Sequence, residues 1–377
     1  MRIAIFCHSL VSDWNHGNAH FLRGIVSELQ ARGHDVCVFE PEDAWSRQSL
    51  LDDHGQQAID EFQQAFPKLT STTYQLHDLR LEEKLDGVDV VIVHEWNHPL
   101  LISAVGAYRR SKPDLRLFFH DTHHRALTAT DELARFDLAN YDGVLAYGAS
   151  LKELYQRHGW GSQVYVWHEA ADIRTFYPRP RKENSGDVVW IGNWGDNERT
   201  EELREYFIDP VKTLGLKAEV FGVRYPESAL LELNAASIAY RGWLANFKAP
   251  ETFATFGVTV HVPRRPYTEH LVGIPTIRPF EALACGIPLV SAPWEDTENL
   301  FRIGTDFLMV GSGREMRDRL RDVLNDSTLA CSLARYGLDT VMRRHTCGHR
   351  VDELLTIYNA IGPAPSRSDR IPAAAHS

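Results

Sequence analysis

The fold of this chain is decided by the stretch Gly273-Ile-Pro-Thr-Ile-Arg-Pro-Phe-Glu-Ala-Leu-Ala-Cys-Gly-Ile-Pro288. Pro279 has a fixed φ and no N–H, so it suits the first turn of a helix. Gly286 is a typical helix terminator, and the proline two residues later cannot continue a helix. The stretch therefore predicts a short helix over 278–285, which follows a loop of small residues and precedes a buried strand at 288–291.

The start of this helix is a candidate phosphate site, because free N–H groups and the positive end of the helix dipole attract anions. Thr276 and Arg278 lie there, and Arg278 would add a positive charge. Glu281, in the first turn, offers two acceptor oxygens that suit a pair of neighbouring ribose hydroxyls. The competing interpretation is that Glu281 only complements the helix dipole.

Strands and helices alternate on both sides of this segment. A strand at 2–7, apolar residues at helical spacing from Phe21 to Leu29, and a strand at 35–39 form a β-loop-α-β unit that opens a parallel sheet. Other strands are predicted at 88–93, 115–119, 143–146, 163–167, 188–192, 217–221, 237–240 and 257–262. Other helices are predicted at 198–207, 313–325, 327–337 and 348–360.

The pattern restarts after 172–187, a proline-containing and highly charged stretch that is typical of a linker. We therefore expect an α/β fold with two Rossmann-like parallel-sheet domains, one over 1–180 and one over 187–345. The Pro-rich stretch 362–377 is expected to be a disordered tail. Ligands bind open parallel sheets at the carboxyl ends of the strands, so we expect the chemistry in a cleft between the two sheets.

The composition disfavours several classes of protein. The chain has 377 residues and a formal net charge of -11, which argues against a nucleic-acid partner. Its five cysteines are scattered without a CxxC pair, so neither a disulfide framework nor a zinc site is expected. The first apolar run is too short for a signal peptide, and no uncharged stretch has the length of a membrane helix. We expect a cytoplasmic protein; the oligomeric state is not indicated.

A second candidate phosphate loop follows the strand at 188–192. Gly192 and Gly195 would let a phosphate approach the backbone on either side of Asn193, and Arg199 could pair with a diphosphate. The alternative is an ordinary strand-to-helix turn with a solvated arginine. The sequence contains no GxGxxG motif, which disfavours a nicotinamide-dependent dehydrogenase.

Two more side chains of the second half follow predicted strands. Trp243 could stack on a nucleotide base, although a core tryptophan is an equal alternative. Arg264 could reach a phosphate, although it could also belong to a surface pair with its neighbour Arg265.

The first half also places polar side chains at the ends of its strands. His120 ends the strand at 115–119, so it should face the cleft, where Asp121 could orient it; a structural role is the alternative. His94 and Glu95 end another strand and are expected to face an acceptor molecule, unless they only cap a helix. The three histidines between 120 and 124 lack zinc-ligand spacing, so we expect no metal there.

The loop after the first strand contains Asp13, His16 and Gly17. His16 or Asp13 could act as a general base, and Gly17 would let the following helix lie close to a ligand. A polar capping turn is the competing interpretation.

The stretch at 273–288 resembles the hallmark of the GT-B "group 1" glycosyltransferases, and more closely their CgeB-like branch. In that family a short helix reading (F/L)-E-A-x-A-C-G-x-P follows a loop that touches the donor, and its Glu, which Glu281 matches, holds the nucleotide ribose. The family often carries a second Glu eight residues earlier, which contacts the donor sugar. Here that position is Gly273, a departure that leaves the sugar undefined.

The resemblance implies a GT-B fold and the transfer of a sugar from a nucleoside diphosphate sugar, without a metal or other cofactor and with retention of configuration. It places His120 beside the anomeric carbon, Gly17 between donor and acceptor, Arg199 at the diphosphate and the backbone near Trp243 at the base. It also implies that 346–361 forms a closing helix that packs back toward the first domain.

The acceptor, which could be a small molecule, a glycan or another group, is not indicated by the sequence. Two other functions fit the same fold. A nucleotide-sugar epimerase would use the donor without an acceptor. A catalytically silent nucleotide-sugar binding protein would explain why Glu is missing at position 273.

Overall fold

Two parallel sheets form the framework of the residues that this computed structural model describes, 1–180 and 186–361. The strands are β1 (Arg2–Phe6), β2 (Asp35–Pro41), β3 (Thr72–Tyr74), β4 (Val90–His94), β5 (Arg116–Asp121), β6 (Gly143–Ala146), β7 (Val164–Val166), β8 (Gly186–Ile191), β9 (Ala218–Phe221), β10 (Ala239–Tyr240), β11 (Phe256–His261), β12 (Leu289–Ser291) and β13 (Leu308–Met309). The first sheet has the order β3-β2-β1-β4-β5-β6-β7, and the second has the order β10-β9-β8-β11-β12-β13. The prediction of an α/β fold with two Rossmann-like parallel sheets is confirmed.

Helices connect these strands. Their bounds are α1 (Ala19–Ala31), α2 (Trp45–Ala65), α3 (Leu81–Lys84), α4 (Pro99–Ser111), α5 (Arg125–Thr128), α6 (Thr130–Leu133), α7 (Ala149–His158), α8 (Thr200–Leu203), α9 (Asp209–Leu214), α10 (Glu227–Ala235), α11 (Ala249–Phe253), α12 (Ile277–Ala284), α13 (Gly313–Asn325), α14 (Ser327–Arg344) and α15 (Cys347–Ala360). Two π-helical turns occur, at Arg204–Ile208 and at Pro266–His270, and the second lies beside the cleft described below.

The central strands of the first sheet are buried over their whole length. Every residue of β4 and β5 is buried, which is typical of parallel strands whose two faces are both covered. Their continuous apolar runs made them predictable. The short strands β3 and β13 were not predicted, because two or three residues at a sheet edge carry no recognisable periodicity.

Both sheets follow the same connection order. The strand that comes first in sequence, β1 or β8, lies inside the sheet, and its neighbours are added first on one side and then on the other. The order therefore reverses between β1 and β4, and between β8 and β11. Ligands of open parallel sheets bind at such a reversal, so the loops after these four strands position the site.

The end of the chain returns to the first domain. Helix α15 packs against α1, and the N–H of Cys347 donates a hydrogen bond of 3.0 Å to the carbonyl of Ala171. The indole N–H of Trp167 donates to the carbonyl of Arg350 at 2.8 Å. The two domains are thus connected by the linker and by a second crossing near residue 346.

Two predicted helices differ from the observed ones. The predicted helix at 198–207 begins at Thr200 and is interrupted by the first π-helical turn, and the predicted helix at 327–337 continues to Arg344. Residues 181–185 of the expected linker and the expected tail at 362–377 lie outside the described residues. Within the described residues, no helix is long and apolar enough to cross a membrane.

Candidate functional site

A cleft of about 650 Å³ opens between the carboxyl ends of the two sheets, and both domains line it. The predicted site residues that line it are Asp13, His16, Gly17, Gly192, Asn193, Arg199, Trp243, Arg264, Thr276 and Arg278. The predicted site residues outside its lining are His94, Glu95, His120, Asp121, Gly195 and Glu281. The cleft therefore brings together the first loop and most of the expected donor side, whereas Glu95, Asp121 and Glu281 and the histidines His94 and His120 are outside its lining.

Arg199 carries an uncompensated charge at this cleft. Its guanidinium donates to the backbone carbonyls of Asn193 at 2.6 Å and Val262 at 2.9 Å. Among the described residues, the other cleft-lining arginines 224, 264 and 278 each have a carboxylate partner, and Arg199 has none. Burial, followed by the nearby Arg264, lowers the pKa of Arg199 to about 9, so it stays protonated at neutral pH. This arrangement suits a bound anion.

Gly195 contributes to the site by making room for Arg199. It adopts φ 92°, and a Cβ at this position would lie 3.0 Å from the Nε of Arg199. Gly195 is outside the cleft lining, so its contact with a phosphate stays a prediction. Gly192 and Asn193 do line the cleft, and the N–H of Val223 donates to Asn193 Oδ1 at 2.9 Å.

The start of α12 opens into the cleft, as the sequence predicts. Thr276, Ile277 and Arg278 line it, and no side chain of the described residues caps the helix N-terminus. The first N–H groups of the helix are therefore available to an anion. Helix α12 begins at Ile277, one residue before the predicted start.

Unfavourable backbone conformations concentrate around the cleft. In the described part of the chain, seven residues other than glycine have positive φ, and four of them line the cleft: Asn15, Asp196, Arg224 and Thr276. Residues with a Cβ rarely adopt a positive φ. Those that do cluster at ligand sites, where the surrounding structure enforces the unfavourable conformation. Their distribution supports a binding role for the cleft.

Glu281 does not reach the cleft. It is completely buried, and its carboxylate accepts hydrogen bonds from His20 and Asn246, both at 2.7 Å, and pairs with Arg278. Donors from both domains therefore occupy its oxygens in this structure, and the binding of ribose hydroxyls by Glu281 stays a prediction. Despite burial, Arg278 and His20 keep the pKa of Glu281 below its usual range.

Glu169 is a cleft carboxyl that the sequence analysis missed. It follows β7, is 5% exposed and lines the cleft, and its carboxyl has no hydrogen-bond or ion-pair partner within residues 1–180 and 186–361. Burial, followed by the charge of Glu281, raises its pKa to about 8, whereas Arg278 opposes this rise. No motif marks this position; the signal that was available is that Glu169 follows the end of a first-domain strand.

Asp13 ties the two domains together. Its carboxylate accepts hydrogen bonds from Arg23 at 2.8 Å in its own domain, and from Trp243 Nε1 and the N–H of Asn246, both at 3.0 Å, in the other. These donors occupy both of its oxygens, and the role of Asp13 as a general base stays a prediction. The Trp243 ring lines the cleft and lies 4.5 Å from that of His54.

His120 lies beneath the cleft rather than in it. Its ring is fully buried between Phe21, at 5.8 Å, and Trp167, at 4.8 Å, and burial lowers its pKa to about 3. Asp121 does not orient it; its carboxylate accepts from Tyr155 at 2.6 Å and from the N–H of His123 at 2.9 Å. The expectation that His120 faces the cleft is wrong, because Phe21 of α1 and Trp167, which follows β7, cover its ring.

His94 and Glu95 are also buried and outside the cleft lining. His94 Nε2 accepts from the amide of Asn18 at 2.7 Å and contacts the hydroxyl of Thr122 at 3.2 Å, so it orients two residues that do line the cleft. Glu95 pairs with Arg125 at 2.6 Å. Neither side chain lines the cleft, and their contact with an acceptor stays a prediction.

His16 remains as a cleft-lining imidazole in the first loop. Burial, followed by the charges of His8 and Arg23, holds its pKa well below the usual range, and its Nε2 has no hydrogen-bond partner among the described residues. It is therefore a neutral imidazole at neutral pH. The described residues contain no group of three or more His, Cys, Asp or Glu side chains placed to hold a metal ion.

Two family models match the chain. Residues 17–175 match the one described as Glycosyltransferase Family 4, and residues 199–356 match the one described as Glycosyl transferase-like. The two ranges correspond to the first-domain and second-domain sides of the cleft. No curated protein matches the chain significantly.

Many solved structures share the fold. An alpha-glucosyltransferase in complex with UDP and DNA aligns with a TM-score of 0.65 at 13% identity, over 95% of this chain and 99% of the other. A sucrose-phosphate synthase from Thermosynechococcus elongatus aligns with a TM-score of 0.63 at 15% identity, over 96% and 99%. The T4 phage protein BGT, in complex with UDP and Mn²⁺, aligns with a TM-score of 0.60 at 13% identity, over 96% and 100%. The predicted GT-B fold is confirmed.

Proposed function

We propose that this chain, a glycosyltransferase with the GT-B fold, transfers a sugar from a nucleoside diphosphate sugar to an acceptor hydroxyl without a metal ion. The observation that carries the proposal is Arg199, a protonated guanidinium without a carboxylate partner among the described residues, beside the open N-terminus of α12. These groups would stabilise the charge that builds on the diphosphate as the glycosidic bond breaks, which is the task a metal performs in other enzymes.

The second domain would hold the nucleotide. Trp243 offers a ring for the base, and Gly192, Asn193 and Thr276 line the space between this ring and Arg199. We infer that Glu169, not Glu281, provides the carboxyl that hydrogen-bonds donor hydroxyls, because Glu169 lines the cleft and its oxygens are not occupied by protein donors among the described residues. Glu281 would instead hold Arg278 and the two domains in place.

The reaction would proceed with retention. The bond between the anomeric carbon and the β-phosphate oxygen breaks with its electron pair going to the phosphate, and the acceptor oxygen forms the new bond on the same face. The proton of the acceptor passes to the leaving phosphate. His16, a neutral imidazole that lines the cleft, would orient the acceptor. The placement in the CgeB-like branch rests on the segment at 273–288 and stays a prediction.

The proposal is tested by a thermal-shift screen of the purified protein with UDP, GDP, dTDP, CMP and NAD, each with and without EDTA. A ligand that binds the folded state alone at 100 times its Kd stabilises it by about 2.7 kcal/mol. We expect a rise with one nucleoside diphosphate that EDTA does not change, and UDP is the first candidate because two of the similar structures hold it.

Three results would contradict parts of the proposal. A protein that no nucleotide stabilises, or that NAD alone stabilises, is not a glycosyltransferase of this kind. A rise that EDTA abolishes excludes metal independence. Once an acceptor is known, an NMR spectrum showing the opposite anomeric configuration in donor and product excludes retention.

A further inference from the structure

The first-domain side of the cleft carries aromatic rings that the proposed donor site does not use. Trp45 and Trp96 both line the cleft, and their ring centroids lie 6.1 Å apart with the planes inclined by 72°. We call these two residues the tryptophan corner. The ring of His8 packs against both, at 4.6 Å from Trp45 and 6.2 Å from Trp96, and so restrains the orientation of the two indole rings.

Hydrogen-bonding atoms surround these rings. Trp45 and Trp96 are half-buried, and their indole N–H groups donate no hydrogen bond to residues 1–180 or 186–361. His16 Nε2 and His123 Nδ1, which belong to the same wall of the cleft, also lack a partner in this part of the chain. These two imidazole nitrogens are buried, and a buried polar atom without a partner is costly unless a ligand or water supplies one. The wall therefore combines flat apolar faces with several unsatisfied donors and acceptors.

The charges beside the tryptophan corner are compensated. Arg125 lies 3.8 Å from the Trp96 ring centre and pairs with Glu95 at 2.6 Å. Burial lowers the pKa of His16 and His123 well below the usual range, so both imidazoles are neutral at pH 7. The uncompensated charge of the cleft, Arg199, belongs to the other domain. This wall therefore lacks the free cations that phosphate groups or a nucleic acid would require.

We propose that the acceptor is a neutral saccharide, whose ring stacks on the tryptophan corner and whose hydroxyls bind His16 and His123. This inference rests on the proposed function, since the acceptor hydroxyl must lie beside the donor in the same cleft. A sugar ring has apolar C–H faces and an edge of hydroxyls, which match aromatic faces bordered by neutral imidazoles. An acceptor that is only aromatic would leave the imidazoles without partners, and a phosphorylated one would meet no free cation.

The test is a glycan array probed with the labelled full-length protein in the presence and absence of UDP. The array carries neutral, phosphorylated, sulfated and sialylated glycans, together with phenols and single-stranded oligonucleotides. We expect the strongest binding to a neutral glycan. Calorimetry with that glycan should show affinity at least about tenfold weaker in Trp45→Ala and in Trp96→Ala, with the affinity for UDP unchanged. Trp96→Phe, which keeps a ring over Arg125, should lose less.

Trp160→Ala is the matched control, because Trp160 is half-buried and stacks on His158 at 4.4 Å outside the cleft lining. The proposal is overturned if no neutral glycan binds, if a charged or non-saccharide ligand binds best, or if Trp45→Ala and Trp96→Ala bind the glycan as tightly as the unmodified protein does. Nucleotide binding in the same samples separates the two proposals. Loss of saccharide binding alone contradicts only the acceptor class, whereas the absence of nucleotide binding contradicts the proposed function.

Discussion

Arg199 and Arg241 show how differently two arginines of one domain are used. Arg241 is exposed and pairs with Glu219 at the sheet edge, whereas Arg199 faces the cleft, donates to backbone carbonyls and lies over the Trp190 ring. A charge-assisted hydrogen bond to phosphate is worth about 1.5–3 kcal/mol. Arg199→Ala should therefore weaken binding of the preferred nucleoside diphosphate about tenfold or more in calorimetry, and Arg241→Ala should leave it unchanged. Equal affinities in both variants would contradict the assignment.

Glu169 makes the stability of the protein depend on pH. Its pKa is about 8 in the folded protein, against an ordinary value of 4.5 for the unfolded chain, so the folded state keeps a proton that the unfolded chain releases between these values. The stabilisation it contributes is complete below pH 4.5 and is lost as the pH rises through 8. Glu169→Gln cannot titrate, so we expect this variant to gain stability relative to the unmodified protein between pH 5 and pH 8.5.

The gain should amount to at least about 1 kcal/mol, since one unit of pKa shift corresponds to about 1.4 kcal/mol. Urea unfolding at a series of pH values measures it. Burial raises the pKa of Glu95 to about 8 as well, but Glu95 is present in both proteins and cancels in the difference. A difference in stability that does not change with pH would show that Glu169 is ionised in the folded protein.

Glu281 should affect stability more than nucleotide binding. Removing its carboxylate leaves His20, Asn246 and Arg278 without their shared acceptor, and breaking such a buried network costs about 3–5 kcal/mol. We expect Glu281→Ala to lower the midpoint of urea unfolding strongly. The exposed Glu269, whose carboxylate lies 3.9 Å from His270, provides the control Glu269→Ala, which should unfold like the original protein. Normal stability together with lost nucleotide affinity would restore the ribose-binding interpretation.

Arg199, Glu281 and Glu169 show which properties of single residues can be predicted from the sequence and which cannot. The position of Arg199 after a strand placed it in the cleft correctly, because the ends of parallel strands share one edge of the sheet. The sequence could not show that Glu281 meets His20, 261 residues away, or that Glu169 has no partner in the described residues. Such facts depend on how the two domains face each other, which no local pattern encodes.

At the scale of elements, the contact between α1 and α15 depends on one glycine. A Cβ at Gly24 in α1 would lie 2.4 Å from the Sγ of Cys347 and 2.7 Å from the Cβ of Asp172. A Cβ at Gly106 in α4 would meet its nearest neighbour at an ordinary 3.5 Å. Alanine normally stabilises a helix interior relative to glycine by about 0.5–1 kcal/mol. The two sites should therefore respond in opposite directions.

We expect Gly24→Ala to destabilise the protein by about 1–3 kcal/mol through overpacking, and Gly106→Ala to be neutral or stabilising. Chemical denaturation of both variants under identical conditions measures the difference. If Gly24→Ala were as stable as Gly106→Ala, α15 would have to be able to shift away from α1 without cost.

The elements themselves were largely predictable. The helix at α12 was placed within one residue because Pro279 and Gly286 mark its ends, and the run at β6 matched in both bounds. The interruption of the helix after Thr200 by a π-helical turn was not predictable, because such a turn requires one extra residue but changes no residue type. The same reason explains why the π-helical turn at Pro266–His270 was missed.

At the scale of the whole molecule, α15 connects the two halves because it follows the second domain in sequence and packs on the first. Val351 is completely buried in this helix, whereas Thr356 on the same helix is exposed. Val351→Asp would bury an unpaired carboxylate and should cost about 3 kcal/mol or more, and Thr356→Asp should cost little. Loss of the crossing near residue 346 should lower the unfolding stability of both domains.

The contacts across the cleft support a joint response, since His20 bonds Glu281, Asp13 bonds Trp243, and His168 pairs with Glu298 at 2.9 Å. We therefore expect calorimetry of Val351→Asp to show one transition that moves to lower temperature as a whole, with Thr356→Asp close to the original protein. Two separate transitions, of which only the earlier moves, would mean that the domains unfold independently. In that case the contacts between the domains would be too weak to fix the two sides of the cleft relative to each other. Binding of the ligand would have to bring them together.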